Sequence, residues 1–238
     1  CHIVVRKGSR NVINEAFRVL RTNLDMMLGT GDAGSVIMVT SFNPNAGKTF
    51  MTMNMAAGMA LKGCRTLIID MDLRKATLSK SLDSNNDGVA AYLAGRHDDL
   101  AKLIHNIDEN ISLLSVGTLP PNPTELLLSD RFMQMIGTLK EEYKYIFLDC
   151  PPVDIVADTS IIAKAADMSI FVMRVGIMDK RALPMVEDLY HENKYNRMAI
   201  ILNGVTRKAG RYGYGYGYGY GTYGYGYGSY GYGEKESE

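Results

Sequence analysis

The chain has 238 residues, 46% of them hydrophobic, which is enough for one sizeable α/β core. Its 26 basic and 26 acidic residues balance, and this argues against nucleic acid as the main partner. Three cysteines without metal-ligand spacing favour a reducing, cytoplasmic environment. No apolar run approaches the ~20 residues of a membrane-spanning helix. Because the first residue is Cys1, we expect the soluble part of a longer protein.

The first predicted element is a helix over residues 11–28. It carries Glu15, Arg18 and Arg21 at spacings of three, so the three charges share one face. Two interpretations are open at this point. The face is either a solvated, salt-bridged surface or an electrostatic docking face for another subunit.

Six β-branched apolar runs follow, and such continuous runs are typical of strands buried on both faces. They lie at 35–40, 65–70, 111–116, 145–150, 168–175 and 198–203. Helices are predicted between them at 48–62, 123–139, 158–166 and 179–193. Asn122 as N-cap and Pro123 in the first helical position mark one clear helix start. Strand alternating with helix predicts a doubly wound α/β domain with a mainly parallel sheet, covering residues 1–206.

A phosphate loop is predicted between the first strand and the helix that begins near residue 48. Backbone N–H groups there would cradle phosphates, Lys48 would neutralise the β/γ oxygens and the Thr49 hydroxyl would ligate Mg²⁺. Phe42 occupies the position of the pattern's first glycine, so the loop alone is an imperfect match. The predicted nucleotide contacts in this segment are Asn45, Ala46, Gly47, Lys48, Thr49 and Phe50.

Aspartates end two of the predicted strands. Asp70 and Asp72 follow the second strand and Asp149 ends the fourth. Ligands in open α/β sheets bind beyond the carboxyl ends of the strands, so these carboxylates would together hold a hydrated Mg²⁺ beside the phosphate loop. Singly, an aspartate at a strand end is usually a turn former. Arg74 and Lys75 either neutralise phosphate charge or cap a surface loop.

The carboxyl-terminal segment differs from the rest in composition. A nearly strict Gly-Tyr alternation precedes a charged end, and we predict a disordered tail over 207–238. By itself the tail is either a sticky segment that stacks aromatic rings or a multisite phosphate acceptor. The candidate acceptors are Tyr212, Tyr214, Tyr216, Tyr218, Tyr220, Tyr223, Tyr225, Tyr227, Tyr230 and Tyr232.

In order and spacing these motifs resemble those of the bacterial tyrosine kinases of capsule and exopolysaccharide export. The resemblance covers nearly the whole chain. It rests on the tyrosine cluster and on SFNPNAGKT (41–49), LIIDMDLRK (67–75), PPNPTELLLSDRF (120–132) and IFLDCPP (146–152). EAFRVLR (15–21) is similar to the family's Glu-x-x-Arg-x-x-Arg motif, which implies ring-like self-association through Glu15, Arg18 and Arg21.

The resemblance implies an ATP-dependent protein-tyrosine kinase of the P-loop NTPase type that phosphorylates its own tyrosine cluster in trans. Lys48 would contact the β/γ phosphates, and Thr49, Asp72 and Asp149 would hold Mg²⁺. Asp70 would be the base that orients the tyrosine hydroxyl. Asn203, at the end of the last predicted strand, would contact adenine, although an Asn-Gly pair is also a common turn.

The resemblance also implies a setting and partners. We expect a cytoplasmic domain of an inner-membrane protein, with a membrane-anchored activator, a cognate phosphotyrosine phosphatase and a role in polysaccharide export. The main alternatives are a deviant-Walker ATPase that only hydrolyses ATP and a nucleotide-controlled assembly module. The former group carries a signature lysine five residues before the loop lysine, where this chain has Asn43.

Overall fold

The computed structural model describes residues 2–29, 31, 33–82, 87–153 and 157–205. Backbone contacts divide the chain between Val205 and Thr206. The predicted tail, with its ten candidate acceptor tyrosines, therefore lies outside the described residues. In the described part, no helix is long and apolar enough to cross a membrane.

A seven-stranded sheet organises the described part of the chain, in the spatial order β3-β4-β2-β5-β1-β6-β7. All neighbouring strands run parallel except β3 and β4, which are antiparallel. The strands are β1 (Ser35–Ser41), β2 (Thr66–Asp70), β3 (Ile104–Asp108), β4 (Ile111–Leu114), β5 (Tyr145–Asp149), β6 (Met168–Arg174) and β7 (Ala199–Asn203).

Helices cover both faces of the sheet. They are α1 (Val12–Leu28), α2 (Lys48–Ala60), α3 (Thr77–Ser81), α4 (Val89–Leu93), α5 (Pro123–Leu128), α6 (Asp130–Glu142), α7 (Asp158–Ile162) and α8 (Leu183–His191). Short 3₁₀ turns lie at Leu100–Lys102, Ala163–Ala165 and Lys180–Ala182.

Alternate residues of the central strands point into two separate hydrophobic cores. In β1, Val36 and Met38 pack on the side that also contains Phe132 of α6. Ile37 and Val39 pack on the opposite side, against α2 and α1. A strand buried on both faces needs apolar residues at every position, which explains the continuous apolar runs in the sequence. The doubly wound, mainly parallel α/β fold is thereby confirmed.

The first helix packs on the helix that follows the phosphate loop. Asn11 caps α1 by accepting a hydrogen bond from the Asn14 backbone N–H, and Phe17 and Leu24 are buried on the α2 side. The amino-terminal segment is fastened to the same place, since the Asn54 side chain of α2 accepts hydrogen bonds from the backbone N–H groups of Val4 (2.7 Å) and Val5 (3.2 Å). Residues 2–28 thus form a layer attached directly to α2.

The structure corrects three details of the predicted elements. The helix predicted at 123–139 is two helices, because Ser129 has an extended ψ of 149° that ends α5 before α6 begins. Strand β3 was not predicted, since its mixed sequence lacks a continuous apolar run. The strand predicted at 198–203 is not buried on both faces: β7 is an edge strand, and Ile200 and Leu202 are 49% and 62% exposed.

Helix starts and ends also differ slightly from the prediction. Pro123 does begin α5, but the Asn122 side chain donates to Glu125 (2.7 Å) instead of capping the backbone. The helices predicted at 158–166 and 179–193 are shorter, and each includes a 3₁₀ turn.

Candidate active site

The predicted phosphate loop connects buried β1 to the amino terminus of α2. Asn45 and Gly47 both have positive φ, 60° and 94°. The loop backbone therefore makes a tight turn before the helix starts at Lys48. A Cβ on Gly47 would lie 2.4 Å from the Asn203 Nδ2 atom. Glycine is therefore required here for its conformation and for close packing.

Phe42 explains the departure from the phosphate-loop pattern. Its side chain is 1% exposed and stacks on Phe171 of β6, with ring centroids 5.2 Å apart. Phe171 in turn meets the edge of the Tyr195 ring at 5.0 Å. The first position of the loop is thus fixed by aromatic packing in the core, whereas the usual glycine provides only conformational freedom.

Two side chains from the adjacent strand ends support the loop from outside. Asn203 of β7 donates from Nδ2 to the Ala46 carbonyl at 2.9 Å. Arg174 of β6, which is paired with Asn203 in the strand register, donates to the Asn45 carbonyl at 3.3 Å. Asn203 was predicted to contact adenine. The structure places it at the loop, and the adenine contact stays a prediction.

Asp149 is the polar centre of the site. It is 3% exposed, its Oδ2 accepts the Thr49 hydroxyl at 2.7 Å, and its Oδ1 accepts the Thr52 hydroxyl at 3.3 Å. Burial and, to a smaller extent, the charge of the neighbouring Asp70 raise the pKa of Asp149 to about 7, against the lowering effect of the Thr49 hydrogen bond and the charge of Lys48. A carboxylate held this way gains most from a cation brought beside it.

Asp70 faces Asp149 across the register of β2 and β5. It is completely buried, and burial raises its pKa to about 6. Its Oδ1 accepts the Asp72 backbone N–H (3.1 Å), and its Oδ2 accepts both the N–H (2.8 Å) and the hydroxyl (2.7 Å) of Ser79. Asp70 therefore holds the segment between β2 and α3 in place. Its predicted role as a base stays a prediction.

Asp72 lies nearer the surface, at 7% exposure, and accepts the Lys75 backbone N–H at 3.0 Å. Among the described residues, no group of three or more His, Cys, Asp or Glu side chains is arranged to hold a metal ion. The three aspartates are therefore not a preassembled cluster. The paired Thr49 hydroxyl and Asp149 carboxylate nevertheless fit Mg²⁺, which commonly takes one or two carboxylates and completes its shell with phosphate oxygens and water.

The sequence left two roles open for Arg74, neutralising phosphate charge or capping a surface loop, and the structure shows its side chain bound to partners within the chain. Its guanidinium binds the buried Asp158 carboxylate at 2.9 and 3.3 Å and donates to the Thr124 hydroxyl at 3.0 Å. Thr124 also donates to Asp158 at 2.7 Å. Arg74 thus joins the loop after β2 to α5 and α7, and the hydrogen bond that it donates to Asp158 raises the pKa of Arg74.

Phe50 and the charged residues of α1 lie on the far side of α2. The Phe50 ring packs edge-on against Phe17, with centroids 6.1 Å apart, so only its backbone is available to phosphates. Glu15 and Arg18 form an ion pair, and Arg18 also donates to the Ser9 carbonyl at 2.6 Å. Arg21 reaches the Gly58 carbonyl of α2 at 3.4 Å. The three charged residues occupy one region of α1, as predicted from their spacing.

Sequence reasoning missed Arg174, Ser79 and Asp158. Arg174 ends an apolar strand at the same edge as Asp149, and this position was the available signal. Ser79 and Asp158 lie in short helices with no local pattern, and only the fold brings them to Asp70 and Arg74.

Comparison with known proteins identifies the family. The family model described as an AAA domain matches residues 34–194. The tyrosine-protein kinase CpsD of Streptococcus pneumoniae is 35% identical over 201 residues, which cover 84% of this chain and 87% of CpsD. The chain belongs to the bacterial tyrosine-kinase family.

Other members of this family match the same part of the chain. The kinase domain of the Escherichia coli tyrosine kinase ETK superposes with a TM-score of 0.74 at 32% identity, covering 85% of this chain and 80% of that domain. The tyrosine-protein kinase Wzc of Salmonella typhimurium is 32% identical over 199 residues. This chain spans 28% of the length of Wzc, so it corresponds to only one portion of that larger relative.

Proposed function

We propose that this bacterial tyrosine-kinase domain transfers the γ-phosphoryl group of ATP to the tyrosines of its own carboxyl-terminal segment. One observation carries the proposal: the phosphate loop and the Thr49–Asp149 pair lie at the carboxyl edge of a sheet. The same chain continues from β7 into ten tyrosines. The family and the acceptor sequence together favour transfer to tyrosine over simple hydrolysis.

Each residue at the sheet edge has a role in this reaction. Loop N–H groups between Asn45 and Thr49 bind the phosphates, and Lys48 offsets the charge of the β/γ oxygens. Thr49 and Asp149 hold Mg²⁺, with Asp72 acting directly or through water. The ion supplies charge neutralisation on the transferred group. Asn203 and Arg174 keep the loop in shape, so the phosphate site is preorganised.

Positioning contributes more than proton abstraction at this site. A free tyrosine has a pKa of ~10 and a carboxylate ~4, and a loose transition state does not need the proton early. Asp70 fits the role of the orienting carboxylate. Its raised pKa of about 6 is also closer to the pKa of the tyrosine hydroxyl than the pKa of an ordinary carboxylate is. The approach of a tyrosine would have to displace one of the Ser79 hydrogen bonds to Asp70.

We further propose that transfer takes place between chains assembled through α1. Besides the charged motif, α1 exposes Val12, Val19 and Met26, each seven residues apart and 55–75% exposed. A stripe of this kind suits an apolar partner. A tail of about 21 residues has an r.m.s. span of ~25 Å, and a body of this size has a radius of gyration of ~17 Å. A neighbour's site and the chain's own site are therefore both within reach, and the surface of α1 is what favours transfer between chains.

Intact-mass measurement after incubation with Mg-ATP tests the proposed reaction. We expect increments of phosphate, which peptide mapping then places within residues 212–232, and none in Lys48→Met, which lacks the loop cation. Free phosphate without mass increments would mean a hydrolase. Neither product would mean an assembly module.

Analytical ultracentrifugation tests the proposed assembly. Val19→Glu places a charge in the exposed stripe without touching the α2 side, and we expect a monomer with reduced tail phosphorylation. The matched control is Met133→Glu, an equally exposed apolar position on α6 (51%). Identical sedimentation and phosphorylation in both variants would reject assembly through α1.

The family also suggests a setting for the reaction. We propose that the domain acts on the cytoplasmic side of the inner membrane, beside a membrane-anchored activator and a phosphotyrosine phosphatase, in polysaccharide export. Activity that rises on adding the cytoplasmic segment of a membrane partner encoded alongside this chain would support it.

A further inference from the structure

We propose that a basic pocket beside α1 binds phosphotyrosine from the tail of a neighbouring chain. The inference rests on the proposed function, because the kinase reaction would produce this ligand. The pocket has a volume of about 150 Å³ and lies between residues 5–8, α1 and the carboxyl-terminal half of α2. We call it the N-terminal basic pocket, lined by Arg6, Lys7, Phe17, Arg18, Arg21 and Leu61.

The charge of the pocket is unbalanced. Arg6 and Lys7 are exposed and Arg21 is half-buried, and within the described part of the chain none of the three forms an ion pair. Arg18 is neutralised in part by Glu15. No acidic side chain is among the described residues that line the cavity. Three cations without an acidic partner among the described residues favour a dianion in this small cavity, and arginine matches the geometry of phosphate oxygens.

The backbone that carries Arg6 and Lys7 is held in place before any ligand arrives. Residues 6–9 form a turn in which Ser9 N–H donates to the Arg6 carbonyl (3.3 Å) and Gly8 has a φ of 77°. Arg6 N–H donates to the Asn14 side chain of α1 at 2.8 Å. The turn that carries two of the cations is thus tied to the helix that carries the others. Preorganisation of this kind reduces the entropic cost of binding.

An aromatic and an aliphatic side chain suit the pocket to an aryl phosphate. Phe17, 5% exposed, contributes to the floor, and Leu61, 41% exposed, lies at the rim. Arginine clusters next to apolar surface are a recurring arrangement for phosphotyrosine, since the ring packs while the phosphate is bound.

The tail supplies a ligand whose charge depends on modification. Residues 212–232 carry no charged side chain, whereas each phosphate adds roughly −1.5 to −2. An unmodified tail offers no charge to the cations of the pocket. Arg18 and Arg21 belong both to the pocket and to the proposed self-association motif. A bound phosphotyrosine therefore competes with assembly through α1, so the product of the reaction would disassemble the complex that formed it.

Fluorescence anisotropy with a labelled peptide, Gly-Tyr-Gly-phosphoTyr-Gly-Tyr-Gly, tests the pocket directly. The protein is the full chain with Lys48→Met, which keeps its own tail unmodified. We expect the phosphopeptide to bind at least about tenfold more tightly than the unmodified peptide. Lys7→Gln and Arg21→Gln should each weaken binding about five- to tenfold. Lys102→Gln, at another exposed lysine outside the pocket, should leave the affinity for the phosphopeptide unchanged.

Several results would overturn the proposal. Equal affinity for both peptides, or an equal loss in Lys102→Gln and Lys7→Gln, would reduce the effect to diffuse charge. Equal binding of a phosphoserine peptide, or competition by inorganic phosphate at peptide concentrations, would exclude recognition of the ring. Because the peptide is synthetic, failure of the kinase reaction leaves this measurement intact, and failed binding leaves the kinase reaction unaffected.

Discussion

The carboxyl edge of the sheet, where the strands end, and the surface of α1 use charge in opposite ways. At the edge, Asp70 and Asp149 are buried, and burial raises the pKa of both. On α1, Glu15 and Arg18 are half-exposed and their ion pair is screened by water. Ionising these two buried carboxyl groups is therefore unfavourable, and bound Mg²⁺ and nucleotide would reduce that cost. The α1 surface keeps charges whose loss hardly affects folding, so they are available for partners.

The largest effect should come from Gly47→Ala at the sheet edge. The new Cβ would lie 2.4 Å from Asn203 Nδ2, and the alanine would have to adopt a φ of 94°. We expect at least a roughly 100-fold loss of ATP affinity by calorimetry. Gly63→Ala is the control, with a φ of 78° and no atom near the added Cβ, and should change stability only. Partial recovery in Gly47→Ala/Asn203→Ala would assign the loss to the clash, and no recovery would assign it to the backbone.

Asp149→Asn should separate stability from activity. The folded pKa of about 7 lies above the ordinary 3.8, so the folded state favours the protonated carboxyl. Its contribution to stability is therefore full below about pH 4 and is lost as the pH rises through 7. Without nucleotide or Mg²⁺, the variant should melt on the order of 5 °C higher than the wild type at pH 8 and equally at pH 4. Activity should vanish. A lower melting temperature at pH 8 would contradict the raised pKa.

Arg74→Met should have an intermediate effect on the edge. It leaves the Asp158 carboxylate, 2% exposed, with only the Thr124 hydroxyl as a side-chain partner among the described residues. Denaturant unfolding should show a loss of about 1–3 kcal/mol. Arg74→Met combined with Asp158→Asn should recover most of it, because the buried charge is gone. No recovery would mean that packing of the Arg74 stem, and not its charge, carries the effect.

Glu15→Gln on α1 should have the smallest effect on folding. The Glu15–Arg18 pair is 40–50% exposed, so we expect a change of less than about 0.5 kcal/mol in denaturant unfolding. The same variant should weaken self-association in sedimentation experiments. A large loss of stability with unchanged sedimentation would mean that Glu15 stabilises the fold. The exposed charges of α1 would then not differ from the buried charges at the strand ends in their importance for folding.

The parts of this molecule that follow a local rule could be predicted from its sequence. The central strands are buried on both faces, and their continuous apolar runs predicted them. The motif located the loop at Gly47–Thr49. The aspartates were located by their position at the carboxyl ends of predicted strands. Strand β3 and the break at Ser129 depend on tertiary packing, as do the partners of Arg74 and Asp70. The exposure of β7 depends on which strand ends the sheet, and periodicity carries no information about that order.

Phe42 limits the mutational routes that lead away from this phosphate loop. Restoring the glycine of the common pattern would remove a ring that stacks on Phe171 in the core. Large-to-small changes of buried aromatics cost about 3–5 kcal/mol, and glycine adds backbone freedom to that loss. Phe42→Gly should therefore destabilise the fold unless a neighbouring side chain fills the space that the ring leaves. The phosphate loop and strand β6 are therefore coupled through this aromatic stack.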